Sequence, residues 1–193
     1  MTGAQVVGPV GEPVACARGD DGGATVDAVG LDQVTDALLR RFAGARRSEF
    51  RQEVRVCVPR ASLYDALYLL QQEWGFDLLV DITCVDYLHY RGATERFGLV
   101  YLLCNTRDNL RLTVRAMLSE PDLTVPTVTS LWEAANWLER EVFDMFGIHF
   151  AGHPDLRRIL LPPEFTAHPL RKDYPLQGRG ERHNFTPLAR EDG

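Results

Sequence analysis

The residues most able to do chemistry crowd into one stretch, Glu139–Pro162, which reads EREVFDMFGIHFAGHPDLRRILLP. Glu139, Glu141 and Asp144 come first, then His149 and His153, then Arg157 and Arg158. Two carboxylates on one face could act as acid and base. Two histidines four apart on a helix could share a zinc ion. Adjacent arginines suit interface ion pairs.

Helical geometry removes the first option. At about 100° per residue, Leu131, Ala134, Ala135, Leu138, Val142, Met145 and Phe146 form one apolar stripe. Glu139 and Glu141 are then about 200° apart and flank that stripe from opposite sides. A two-carboxylate mechanism needs groups that converge across roughly 5–10 Å. Arg140 points away from the stripe, close enough to Asp144 at i+4 for a modest surface pair. Gly147, Gly152 and Pro154 disfavour a helix under His149 and His153, and no third ligand has motif spacing, which favours surface or hydrogen-bonding histidines. No G-x-S-x-G elbow supports a serine triad. Gly178-Arg179-Gly180 lacks the helix and lysine of a phosphate loop. Trp132, Trp137, Phe143 and Phe146 read either as a partner hot spot or as packing along one helix face.

The elements around this stretch follow from periodicity. Leu31–Phe42 reads as a short amphipathic helix with Leu31, Val34, Leu38 and Leu39 on one side. In Glu53–Val58, Val54, Val56 and Val58 alternate with Arg55 and Cys57, as in a half-buried strand. A second helix follows Pro59: Ser62 can cap it, Leu63, Leu67, Leu70 and Trp74 line one face, and Gly75 ends it. Asp77–Val85 and Arg96–Cys104 are apolar enough for central strands. Asn109–Ala116 alternates, with Leu110, Leu112, Val114 and Ala116 inward and Arg111, Thr113 and Arg115 outward. Short polar connectors make these three an antiparallel meander. The last helix begins at Ser130, where Ser130-x-x-Glu133 is a capping box and Thr129 a rival cap, and stops at Gly147. The fold class expected is α+β: a mixed, largely antiparallel β-sheet with helices packed on one face, followed by an extended C-terminal arm.

Composition narrows the function classes. The chain has 193 residues, 45% apolar and 25% charged, enough for one domain with a real core. A formal charge of −6 argues against a nucleic-acid binder, which needs a basic stripe. Lys172 is the lone lysine among 21 basic residues, so arginine dominates either for its ion-pairing geometry or through genomic base composition. Cys16, Cys57, Cys84 and Cys104 form no CxxC, and the last three sit in strand-like runs, so neither zinc, an iron–sulfur cluster nor a disulfide framework is indicated. No positive n-region or membrane-length apolar run stands out, and a cytosolic setting is expected.

Three regions result: residues 1–29 as a disordered leader, 30–150 as the α+β domain, and 151–193 as an extended arm. Beyond Pro154, prolines 162, 163, 169, 175 and 187 interrupt a segment without periodicity. Arg157-Arg158 precedes Ile159-Leu160-Leu161, and Leu170-Arg171-Lys172-Asp173-Tyr174 is bracketed by Pro169 and Pro175. A free arm would strand those apolar side chains in water, whereas docking on a partner buries them and pairs the arginines at the rim.

The run Glu139-Arg140-Glu141-x-x-Asp144-Met145-Phe146-Gly147-Ile148, then Gly152-His153-Pro154-Asp155-Leu156-Arg157-Arg158-Ile159-Leu160, then Pro169 to Leu176, closely resembles the 30 kDa subunit family of proton-pumping NADH:quinone oxidoreductase, respiratory complex I. The resemblance implies a cofactor-free structural subunit of the peripheral arm, with no catalytic, cofactor-binding or metal residues of its own. FMN, iron–sulfur clusters and quinone would sit on partner subunits. The chief partner would be the large quinone-site subunit of the 49 kDa type, alongside neighbouring peripheral-arm subunits on the cytoplasmic side of the membrane. The interface candidates are Glu139, Arg140, Glu141, Asp144, His153, Asp155, Arg157, Arg158, Arg171, Lys172, Asp173 and Tyr174. Two alternatives stay open: the equivalent subunit of a membrane-bound hydrogenase or of a ferredoxin- or F420-linked enzyme, and an independent small-molecule enzyme. On the assembly reading, the isolated chain should have a protease-sensitive tail after about Pro154.

Overall fold

A computed structural model describes residues 30–51 and 53–180; the leader expected over 1–29 and the end of the arm lie outside the described residues. The elements run α1 (Leu31–Arg41), β1 (Arg46–Phe50), β2 (Glu53–Val58), a 3-10 turn (Arg60–Ser62), α2 (Leu63–Gln72), β3 (Leu78–Asp86), β4 (Phe97–Asn105), β5 (Leu110–Leu118), β6 (Thr124–Pro126), α3 (Ala135–Phe146) and β7 (His149–Ala151).

Alternation makes the sheet. Strands β3, β4 and β5 form the expected antiparallel meander, with Tyr101 opposite both Ile82 and Val114. The strand order is β1-β2-β5-β4-β3, so β5 returns beside β2, and that pair is parallel. The connection from β2 carries α2, β3 and β4 before the chain comes back, as parallel neighbours require. Every second residue of β2, β4 and β5 points to one side, where Val56, Leu99, Tyr101, Leu112 and Val114 are buried against Leu38, Leu63, Leu67 and Leu70 of the helices. The architecture is α+β with helices on one face of a mixed sheet.

Strand β1 has no expected counterpart. Its sequence RRSEF is exposed along its whole length and shows no apolar alternation. It is an edge strand, where charged side chains discourage further pairing.

The start of α3 also differs. Residues 128–134 form turns and the helix begins at Ala135, without a side-chain cap. Ser130 meets the Tyr64 hydroxyl at 3.2 Å and so is not engaged with the helix N–H groups. Trp132 is buried, with its indole N–H donated to the Phe76 carbonyl at 3.2 Å. Burial of that side chain overrode the local capping signal.

The C-terminus of α3 is the one the sequence indicates. Gly147 takes a left-handed φ of 75° and donates its N–H to the Phe143 carbonyl at 2.9 Å. A Cβ there would lie 2.6 Å from Nε2 of His168. Gly147→Ala should therefore destabilise the chain by about 1–3 kcal/mol, from the left-handed strain and the displaced ring. Chemical denaturation of the isolated chain measures this, and an unchanged midpoint would contradict it.

Candidate functional site

A helix leaves its last four carbonyls without internal partners. In α3 the segment that follows supplies them. Phe143 O accepts from Gly147, Met145 O from the Leu170 N–H at 3.2 Å, and Phe146 O from Nε of Arg171 at 2.6 Å. Asp144 O accepts from Nδ1–H of His168 at 3.0 Å. Residues 152–171 thus form a strap folded back across the helix. Arginines at this end also complement the negative pole of the helix dipole.

Asp144 anchors the strap. Its side chain is fully buried, and Oδ1 receives Arg158 at 2.6 Å. Oδ2 accepts the N–H groups of Ile159, Leu160 and Leu161 at 3.0, 2.8 and 2.9 Å. Burial alone would raise its pKa. The Leu161 N–H, the Arg158 guanidinium and the other two N–H groups outweigh burial and hold the carboxyl below the usual carboxylate range. Arg140 is buried as well: it donates to the carbonyls of Arg157 at 3.1 Å and Arg158 at 3.2 Å, and its guanidinium lies over the Trp137 ring. The surface pair expected between Arg140 and Asp144 is absent, because both side chains turn to the strap.

Glu139 sits in a different environment on the same helix. Its side chain is fully buried, accepting the Thr127 hydroxyl at 2.6 Å and the Val128 N–H at 2.7 Å. Burial is the larger effect, and it pushes the carboxyl up to about 7 despite these bonds. His153 stands 4.0 Å away with its ring also buried. Nδ1 of His153 accepts the Asp155 N–H at 3.0 Å, so the other ring nitrogen carries the hydrogen given to the Asn136 carbonyl at 3.1 Å. His153 is therefore a hydrogen-bonding residue that closes the turn after β7. Among the described residues, no group of three His, Cys, Asp or Glu could hold a metal ion.

A second clamp ties the strap to the sheet. Asp86, buried at the end of β3, accepts Arg96 at 3.1–3.2 Å, the Leu88 N–H and the Lys172 N–H at 2.8 Å. Burial opposes its ionisation, but Arg96 and these N–H groups prevail and lower its pKa. Arg96 also reaches Glu120 at 2.9 Å and Asp173 at 3.0 Å. Arg171 meets the same Glu120 at 3.0 Å and stacks over Phe97. The sequence reading missed Asp86, Arg96, Glu120 and His168. The register offers one signal: Asp86 pairs with Phe97, which places Arg96 beside it across the strand ends.

The expected interface set therefore divides. Glu139, Arg140, Asp144, His153, Arg158 and Arg171 are engaged inside the chain. Asp173 pairs with Arg96, and the Tyr174 ring lies 6.0 Å from Phe165. Glu141, Asp155, Arg157 and Lys172 remain exposed. The arm expected over 151–193 lies, through residue 180, as an anchored strap on its own domain. A helical wheel reports only one apolar side of α3, whereas the strap covers the opposite side.

The profile of the family described as "Respiratory-chain NADH dehydrogenase, 30 Kd subunit" matches residues 56–180. The chain is similar to an NADH-quinone oxidoreductase subunit of Trichlorobacter lovleyi, 50% identical over 125 residues that cover 65% of this chain and 76% of the relative. It is 44% identical to the corresponding subunit of Citrifermentans bemidjiense over 143 residues, 73% of this chain and 87% of the relative. Among solved structures, a trypsin-resistant fragment of Nqo5 has a TM-score of 0.61 at 38% identity, covering 65% of this chain and 98% of that one. A chain of the membrane-bound sulfane sulfur reductase, an archaeal respiratory membrane complex, has a TM-score of 0.64 at 26% identity, covering 84% and 95%.

Two outcomes follow from the geometry. Arg158→Ala leaves the Asp144 carboxylate buried without its counter-ion and should cost about 3–5 kcal/mol. Trypsin would then cut the strap at Arg157 under conditions that leave the parent chain intact; an uncut variant of parental stability would refute the clamp. For Glu139, the folded pKa of about 7 lies above the ordinary value of 4.5. The folded state then holds the extra proton, so this contribution is complete below about pH 4.5 and is lost as pH rises through 7. Stability should fall over that window by of order 1–3 kcal/mol. Glu139→Gln should flatten the fall, and an equal slope in parent and variant would rule Glu139 out as its source.

Proposed function

The chain belongs to the family of the respiratory-chain NADH dehydrogenase 30 kDa subunit, and from that membership we propose that it is a cofactor-free structural subunit in the peripheral arm of NADH:quinone oxidoreductase. Its relatives are subunits of an oxidoreductase complex, and in this reading NADH oxidation and quinone reduction take place on partner subunits that hold FMN, iron–sulfur clusters and quinone. The observation that carries the reading is the Asp144 clamp. The residues with most chemical capacity, Asp144, Arg158 and Arg140, hold the strap to the domain. The family match, residues 56–180, spans the end of β2, all of β3 to β5, α3 and that strap.

The strap in turn presents a surface. Arg157 has 72% of its side chain exposed and, among the described residues, forms its one ion pair with Asp155, itself exposed. Leu160, Leu170, Leu176 and Trp137 are exposed large apolar residues on the strap and the adjoining helix. Apolar anchors beside exposed charges match the anatomy of a subunit interface. We assign Glu141, Asp155, Arg157, Lys172, Asp173 and Tyr174 to contacts with the large quinone-site subunit and its neighbours. Among the described residues no helix is long and apolar enough to cross a membrane, which fits a peripheral position; the cytoplasmic side is part of the proposal. The NADH-linked assignment is preferred to a relative with another donor because the NADH-quinone oxidoreductase relatives are 44–50% identical, against 26% for the sulfane sulfur reductase chain.

Purifying the native complex through a tag on this chain, with mass spectrometry of its subunits, tests the assignment; recovery without NADH-oxidising and quinone-site subunits would overturn it. Arg157→Ala should leave the melting of the isolated chain within about 0.5 kcal/mol of the parent, as for an exposed substitution. In the complex, loss of a desolvated charge should weaken retention by about 2–5 kcal/mol. Equal losses of domain stability and retention would show that Arg157 serves the fold and not the interface.

A further inference from the structure

The sheet has two faces, and the helices pack on one. The other face is built from the alternate residues of the same strands: Leu78, Val80, Asp81, Thr83 and Val85 of β3, where a bulge sets Val80 beside Asp81; Val100, Leu102 and Cys104 of β4; Arg111, Thr113 and Arg115 of β5; and Arg55 and Cys57 of β2. Tyr87 covers one end, lying so close to Gly98 that a Cβ there would meet its ring at 2.8 Å. Arg115 donates to the Tyr87 hydroxyl, which holds the ring in place. The other end is bare. Leu78 is 46% and Val80 55% exposed, and a groove of about 590 Å³ runs from them past Leu102 and Cys104 to Arg111 and Arg55.

Register sorts this face into halves. Leu78 pairs with Cys104, and Cys104 with Arg111; Leu102 pairs with Thr113, and Thr113 with Arg55. The β3–β4 half is therefore apolar apart from Asp81, and the β5–β2 half is cationic. Asp81 stands opposite Leu102 within the β3–β4 half and Glu53 lies at the start of β2, both outnumbered by Arg46, Arg55, Arg111 and Arg115 in a chain of formal charge −6. Among the described residues, Arg55 and Arg111 take part in no salt bridge; Arg55 stacks on Phe50 and Arg111 has no charged partner.

We propose that this bare face docks an amphipathic helix of a neighbouring subunit, with its apolar side over Leu78, Val80 and Leu102 and a row of carboxylates along the edge that meets Arg55 and Arg111. The inference rests on the assembly reading above and adds a second surface, separate from the strap. Strands β2, β4 and β5 are paired on both sides, so across the groove the backbone offers no ladder to an added strand, and an occupant lying over the face meets side chains. Four strands at about 4.8 Å spacing span about 14 Å, close to the roughly 10–12 Å width of a helix with its side chains. A helix laid on a sheet is a standard way to cover an apolar face. The charge halves determine its orientation: reversed, the carboxylates would lie on the apolar row and the guanidinium groups would be buried unpaired.

The test uses the full chain in its native complex. Val80→Glu and Arg111→Glu, both at exposed positions, should leave the melting of the isolated chain unchanged and lower the amount recovered in the purified complex at least tenfold. Cys104 should react with N-ethylmaleimide in the free chain and be protected at least tenfold in the complex. A photo-crosslinker at position 78 should capture a peptide of another subunit with carboxylates along one helical edge. Full incorporation of both variants, an unprotected Cys104, or a crosslink to a second copy of this chain or to its own residues 1–29 would overturn the docking. Failure of the parent chain to enter the complex would overturn the assembly reading as well, which distinguishes the two.

Discussion

The C-terminal turn of α3 ends with four carbonyls and a buried carboxylate that must all find donors without water. Arg158, Arg171, His168, the Leu170 N–H and the N–H groups of residues 159–161 provide them. An unpaired buried polar group costs about 1–3 kcal/mol, and an unpaired charge more. That demand is what makes a proline-rich segment without periodicity take one path. Gly147 begins the reversal, Asp144 holds the segment as it returns, and Asp86 catches it again at the edge of the sheet. The strap is ordered as the cap of a helix, with no secondary structure of its own through residue 180.

Two carboxylates five residues apart on this helix show how environment divides one chemistry. Both side chains are shielded from solvent. Asp144 faces a guanidinium and three N–H donors, so its ionised form is favoured. Glu139 has one hydroxyl and one N–H, too few to offset desolvation, so it holds its proton to about pH 7. In an enzyme such a split would suggest an acid and a base. Here the groups point to different neighbours, one to the strap and one to the chain entering α3, and each joins segments distant in sequence. Stored polarity of this kind gives the domain a single arrangement in which its surfaces are presented to partners.

Those surfaces lie on opposite sides of the same scaffold. The strap offers Arg157, Leu160 and Leu170 beside α3, and the uncovered sheet face offers an apolar half next to a cationic one. A subunit with two separate surfaces can bridge two neighbours, and its rigidity then sets the distance between them. On the proposed reading, the tight internal clamps serve the assembly indirectly, by keeping both surfaces in register.

Periodicity and turn chemistry in the sequence determined the local elements. The alternation of Val54, Val56 and Val58, the meander through Ala116 and the stop at Gly147 are all dictated by neighbouring residues, and the structure has them within a residue or two. The motif residues from Glu139 to Leu176 likewise identified the family. Tertiary structure alone decided what those residues do. It joined β5 to β2, paired an edge strand with no apolar pattern, unwound the start of α3 to bury Trp132, and turned Glu139, Arg140 and Asp144 inward. The physical reason is range. Local pattern reports which side of an element is apolar, but whether its polar side meets water or a returning segment depends on contacts such as Asp86 to Lys172, 86 residues apart.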